Sequence, residues 1–239
     1  MNLGVEAIAL SRSLLDETQA ESDLRRAARS YVKKGRELLL ERHRAGAGGV
    51  EVVSVYSTMM DQLIRYLFSK VSDDFIRRYP SENPRCTVVA QGGYGRGELN
   101  PYSDIDLLFL YSWKISSYVE AVTERLLYTL WDLGHQVGHS CRSLPDCLAM
   151  ARTDFPSRTS MQEARYVAGG RLLFRRFQKV LRENLYRKDF AGFLETALAE
   201  RAPERWRAGV EEETADASQA YARFGRREPT RYSEGWLPG

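Results

Sequence analysis

Hydrophobic positions along the chain recur at two spacings, three-to-four and two, and these divide it into helical and extended segments. Residues 5 to 43 carry Leu14, Leu15, Leu24, Val32, Leu38 and Leu39 at helical intervals among Ala, Arg and Glu, which predicts one or two helices. Ala45-Gly-Ala-Gly-Gly49 breaks the pattern and makes a flexible joint. From Val50 to Tyr79, Val52, Tyr56, Met59, Leu63, Leu67, Val71 and Phe75 form a single apolar stripe on a long helix, read as core packing. Pro80 and Pro84 stop that helix.

The pattern then changes. Two short apolar runs, Thr87 to Ala90 and Leu107 to Tyr111, flank glycines at 92, 93, 95 and 97, which reads as strand, glycine turn, strand. Ser116 to Leu133 returns to the helical spacing, with Val119, Val122, Leu126, Leu130 and Leu133 on one face and Gly134 as C-cap. Gln136 to Arg142 is a third strand, in a β-α-β arrangement with the first two. Ser143 and Pro145 open a further short helix. Helices follow to about Phe224, broken at Gly169 and Gly170, with Phe174, Phe177, Val180, Leu181 and Leu185 on one buried face. Arg226 to Gly239 shows no periodicity and reads as a loose tail. The expected organisation is a helical segment over 1–49, a core over 50–143, a helical region over 144–225 and a tail over 226–239. The fold class is α/β (α+β), a small mixed sheet with helices at both ends.

Composition narrows the class. The 35 basic and 32 acidic residues leave a net charge of only +3, too mild to argue for a nucleic-acid partner. Cys86, Cys141 and Cys147 lack metal-site spacing and fit a reducing compartment. The first twenty residues have no signal-peptide pattern, and no apolar run reaches the ~18 residues of a membrane span. The expectation is a soluble, cytoplasmic protein with no membrane association.

Candidate chemistry gathers around the glycines. Asp104 and Asp106 are two apart on an extended segment, so both carboxylates point to one face, about 7 Å apart along the backbone. Two acids on one face suit Mg²⁺, a hard cation that takes oxygen ligands and keeps substrate phosphates among them. Glycines let backbone N–H groups approach a phosphate closely. Two glycine motifs are excluded. A dinucleotide fingerprint from Gly93 meets Glu98 at its third glycine and one from Gly95 meets Asn100, while a Walker loop from Gly92 meets Glu98 in place of its lysine.

The pattern that remains is Gly92-Gly-Tyr-Gly-Arg-Gly-Glu-Leu99 followed by Pro101-Tyr-Ser-Asp-Ile-Asp-Leu-Leu108. It resembles the nucleotidyltransferases of the DNA polymerase β type, and more narrowly the amino-terminal domain of the bacterial uridylyltransferases that modify the nitrogen-regulatory PII protein. Gly134-His-Gln-Val-Gly-His-Ser-Cys-Arg-Ser143 and Glu163-Ala-Arg-Tyr-Val-Ala-Gly169 are similar to the same family, so the resemblance covers about residues 50 to 190.

That resemblance implies a polymerase β-like core and Mg²⁺-dependent transfer of UMP from UTP to a tyrosine of PII, releasing pyrophosphate. It implies Asp104 and Asp106 as catalytic metal ligands and the Gly92-Gly93 turn as the holder of the outer phosphates. It also implies a truncated member, or a gene encoding only the transferase part, because the family continues into hydrolase and sensing domains.

Arg96 is either a phosphate contact or a solvated loop residue, and Ser103 either touches a phosphate or caps the turn. Arg142 reads as an exposed charge with a lesser claim on phosphate. His135 and His139 are structural. The superfamily's third carboxylate has no counterpart in Gln136 to Arg142, and Glu98, Asp146 and Asp154 are acids without an assigned place. The alternatives are a related nucleotidyltransferase with another acceptor, or an inactive nucleotide-binding fragment.

Overall fold

The computed structural model of the protein describes residues 21–80 and 85–186. The helical expectation for residues 5 to 20, Pro84, the helices expected from 187 to Phe224 and the tail over 226–239 lie outside these residues.

Helix α1 (Glu21–Arg44) lies against α2 (Gly49–Arg78). Gly35 marks the closest approach, since a β-carbon there would overlap the end of the Met59 side chain. The Tyr31 hydroxyl seals the same contact by donating to the Met59 carbonyl at 3.1 Å. Along α2 the stripe is buried as its spacing requires, with Tyr56, Met60, Leu63, Ile64 and Leu67 all but inaccessible. Each such apolar side chain contributes about 1.5–3 kcal/mol through burial, so this helix is the principal packing element on its side of the sheet.

Strand β1 (Cys86–Ala90) leads through a single helical turn, α3 (Gly92–Gly95), and a loop into β2 (Ile105–Tyr111). Helix α4 (Ser117–Asp132) crosses to β3 (Val137–Ser143). Ser116 caps α4 by accepting from the Val119 amide, and Gly134 ends the turn after it at φ +80°. The chain continues through α5 (Leu144–Thr153), α6 (Phe155–Gln162), β4 (Arg165–Gly169) and α7 (Arg171–Leu181), then a π-type turn over Arg182–Tyr186.

The sheet is mixed, in the order β3-β2-β1-β4. Strand β1 runs antiparallel to both β2 and β4, whereas β2 and β3 are parallel, as a helical crossover demands. Val88, Ala90, Ile105, Leu107 and Phe109 share one core with the buried residues of α1, α2 and α4. Val89, Leu108 and Leu110 face α5, α6 and α7. Helices thus cover both faces, and the α/β class with a small mixed sheet is what the chain adopts.

Two readings are corrected. The region after residue 143 is not helical throughout, because β4 pairs with β1 and extends the sheet; Val167 and Ala168 are buried there while Arg165 anchors elsewhere. The β-α-β unit joins β3 to β2 alone, β1 being antiparallel to β2. His135 lies in the turn before β3, where it is 7% exposed and donates its backbone amide to the Leu130 carbonyl.

Candidate active site

The site stands where β2 begins. Strand β2 starts at Ile105, so Asp104 is the residue just before the ladder and is exposed, while Asp106 is within it and half-buried. The strand's period of two puts Asp106 on the side of Leu108 and Leu110. Backbone hydrogen bonds fix its position from both neighbours, Gln91 N–H donating to the Asp106 carbonyl at 3.0 Å and Ile105 N–H to the Gln136 carbonyl at 2.9 Å.

Burial pushes the Asp106 carboxyl above its usual range, and the nearby Asp104 charge pushes it further the same way. Among the described residues no Lys or Arg pairs with either carboxylate. A pair of acids that repel one another and have no cationic partner is a donor set that fits a hard divalent cation. No third His, Cys, Asp or Glu joins them among the described residues.

Two glycines touch the Asp106 carboxylate. Gly92, at φ +56°, lies so close that a β-carbon would meet Oδ2 at 2.8 Å, and a β-carbon at Gly138 would overlap Oδ1. The expected glycine turn is in fact the short helix α3, with the Gly95 and Arg96 amides closing onto the carbonyls of Gln91 and Gly92. Gly93 lies within it, its β-carbon position 3.7 Å from an Arg96 guanidinium nitrogen.

Arg96 is engaged by two carboxylates, Nε with Glu98 at 2.8 Å and Nη1 with Glu163 at 2.6 Å. Ser103 closes the loop before Asp104, its amide and its hydroxyl both donating to the Asn100 carbonyl at 3.0 Å. The other acids have places as well. Glu98 holds Arg96, Asp146 forms a capping box with Ser143 at the start of α5, and Asp154 caps α6 by accepting from the Ser157 amide. His139 is exposed on β3, its ring 6.0 Å from that of Trp131, and does not join His135.

Sequence reasoning missed a second layer behind the glycine turn. Asp61, buried on α2, accepts from the Tyr94 hydroxyl through Oδ1 at 2.7 Å and from Arg165 through Oδ2 at 2.5 Å. Arg165 also donates to the backbone carbonyls of Tyr94 and Gly95 at 2.9 and 3.2 Å, and its guanidinium lies 5.2 Å from the Tyr94 ring centroid. Burial and the neighbouring Asp61 charge lift the Tyr94 hydroxyl well above its ordinary range, so it stays a donor. The only signal in the sequence was an acid interrupting an apolar helix stripe.

The segment that carries the acid pair and the glycine turn matches a known domain. Residues 69–149 fit the model of the nucleotidyltransferase domain family. This part of the chain is a nucleotidyltransferase domain.

The domain is of an enzyme type, and its relatives say the same. The chain is 38% identical over 206 residues to a "Bifunctional uridylyltransferase/uridylyl-removing enzyme" of Phenylobacterium zucineum, a match covering 84% of this chain and 22% of that protein. Proteins of the same name from Rhodospirillum rubrum and Ruegeria pomeroyi are 37% and 46% identical, covering 84% and 51% of this chain and 22% and 13% of theirs. The chain therefore spans about a fifth of the length of these nucleotidyltransferase relatives. Among solved structures, a toxin–antitoxin crystallised with AMP-PNP matches 60% of this chain and 98% of its own at 14% identity, with a TM-score of 0.29. That likeness is too slight to bear on function. No described helix is long and apolar enough to cross a membrane.

Proposed function

We propose that this nucleotidyltransferase domain transfers UMP from UTP to a tyrosine hydroxyl of the PII signal protein and releases pyrophosphate. The reading is carried by the Asp104 and Asp106 pair at the head of β2, which meets no Lys or Arg among the described residues, in a chain 38% identical to uridylyltransferases over most of its length.

Asp104 and Asp106 would hold Mg²⁺, which when bound supplies charge neutralisation for the triphosphate and the leaving pyrophosphate. The chain's own groups do the rest. Asp106, fixed by backbone bonds on both sides, sets the position of the reacting phosphate relative to the sheet. Gly92 and Gly93 let the α3 backbone come close to the outer phosphates. Arg96 stands beside them, and release of Glu98 or Glu163 would turn its guanidinium toward phosphate oxygens. Ser103 holds the loop that presents Asp104.

The test is incubation of the full chain with labelled UTP, Mg²⁺ and PII. Label should pass to PII, and Asp106→Asn should abolish the transfer while circular dichroism stays that of the parent. Full activity in an Asp104→Asn/Asp106→Asn double variant would overturn the assignment. Label passing from UTP to other acceptors but not to PII would overturn the acceptor alone.

A further inference from the structure

Gly138 lies 32 positions after Asp106 in sequence and directly beside it in the sheet, because the parallel register pairs Asp106 with Gly138 and Leu108 with Ser140. In that register both residues project to the same face. A β-carbon on Gly138 would occupy the space of the Asp106 Oδ1 atom, just as one on Gly92 would crowd Oδ2. Each carboxylate oxygen therefore has bare backbone against it.

The two glycines differ in what else could explain them. Gly92 sits at φ +56°, a conformation that favours glycine whatever surrounds it. Gly138 has no such excuse. It is not among the glycines with positive φ, it lies inside a regular strand, and glycine weakens a strand interior by its freedom in the unfolded chain and its lack of a side chain to pack. Gly134, four residues earlier, has open space around its β-carbon position and a positive φ, so the turn accounts for it. For Gly138 the structure offers one neighbour that a side chain would hit, and that neighbour is the Asp106 carboxylate.

We infer that Gly138 is a positioning residue for the metal-binding carboxylate of Asp106. Its missing side chain leaves room for the one orientation in which Asp106 and Asp104 face the same cation. A methyl group at 138 displaces the Asp106 carboxylate from this position without removing any charge. This inference rests on the metal-site reading of Asp104 and Asp106 proposed above.

Two measurements on the full chain test it, neither of them turnover. The first is Mn²⁺ binding followed by the electron paramagnetic resonance of the free ion, for the parent, Gly138→Ala, Ser140→Ala and Asp106→Asn. Gly138→Ala should weaken Mn²⁺ binding about tenfold, the size expected when a group orienting a ligand is disturbed. Ser140→Ala, on the same strand face, should leave it unchanged.

The second is thermal unfolding of Gly138→Ala in the Asp106 and the Asp106→Gly backgrounds. With the carboxylate present the methyl group should lower the midpoint, and with it gone the methyl group should leave the midpoint unchanged or raise it. If Gly138→Ala alone does not fold, recovery of folding in the Asp106→Gly background supports the inference, and failure to recover overturns it. Parent-like Mn²⁺ binding by Gly138→Ala, with binding lost in Asp106→Asn, would overturn the role of Gly138 and leave the metal site standing. Parent-like binding by Asp106→Asn would overturn the metal site itself and this inference with it.

Discussion

Arg165 on β4 and Asp61 on α2 are 104 residues apart in sequence and share a hydrogen-bonded ion pair, with Asp61 only 10% exposed at its side chain and Arg165 32%. Through this pair the long helix grips the glycine turn, because the same guanidinium donates to the carbonyls of Tyr94 and Gly95. Removing the acid strands a half-buried cation and the Tyr94 hydroxyl together. Asp61→Ala should therefore cost about 2–4 kcal/mol in chemical denaturation. Asp61→Asn, which retains one acceptor, should cost less and should raise the KM for UTP more than it lowers kcat.

Gly92 and Gly97 both adopt left-handed backbone, at φ +56° and +77°, but only Gly92 touches Asp106. Alanine at either site pays about 1–2 kcal/mol of conformational strain. Nucleotidyl transfer separates them. Gly92→Ala should reduce kcat by tenfold or more, about 1.4 kcal/mol in the barrier, whereas Gly97→Ala should stay within about threefold of the parent. Equal losses in steady-state assays would show that the turn's strain, and not its contact with the carboxylate, governs activity.

His135 provides a pH signature. Burial, aided by the Arg36 charge, depresses its imidazole to about 4. The unfolded chain takes up a proton near pH 6.5 that the folded protein refuses, so stability contributed by the neutral ring is present above pH 6.5 and is lost as pH falls from there to about 4. The full loss is on the order of 3 kcal/mol. Urea denaturation at pH 7, 6, 5 and 4 should show this slope in the parent and a flatter one in His135→Gln.

Asp146 is shifted in the opposite sense from Asp106. The Ser143 hydroxyl, and then the Ser143 amide, hold its carboxyl below the usual range. Its capping contribution is present above the unfolded value near 3.9 and is lost as pH falls through the lower folded value. Asp146→Ala should lower stability at pH 7 by about 0.5–1 kcal/mol, the scale of an exposed cap. The difference from the parent should shrink as the pH falls below the usual carboxylate range.

How much of this was legible in the chain follows from where each signal sits. Apolar runs closed by glycine announce β1 and β2, and Asp104-Ile-Asp106 lies at a joint between them, so local spacing sufficed. Strand β4 was missed because five residues, Arg165 to Gly169, hold only two buried side chains between helices, and a charge at its start looks like a solvated helix position. Asp61 reads as a polar slip in a stripe until Tyr94 and Arg165 arrive on either side of it. Gly138 carries no local mark, since its meaning comes from a register set by a crossover helix. Arg96 could be placed in the loop, but not its two carboxylate partners, one of them 67 residues away.

Strand β2 is hydrogen-bonded along both edges, to β1 and to β3, while the loop before it is held by local bonds to Asn100, its carbonyl accepting from Ser103 and its side chain from the Tyr102 amide. Amide protons of Leu107 to Leu110 should be among the slowest in the molecule to exchange with solvent, and that of the exposed Asp104 should exchange far faster. Warming would then loosen Asp104 while Asp106 is still locked in the ladder, and the pair would part before the domain melts.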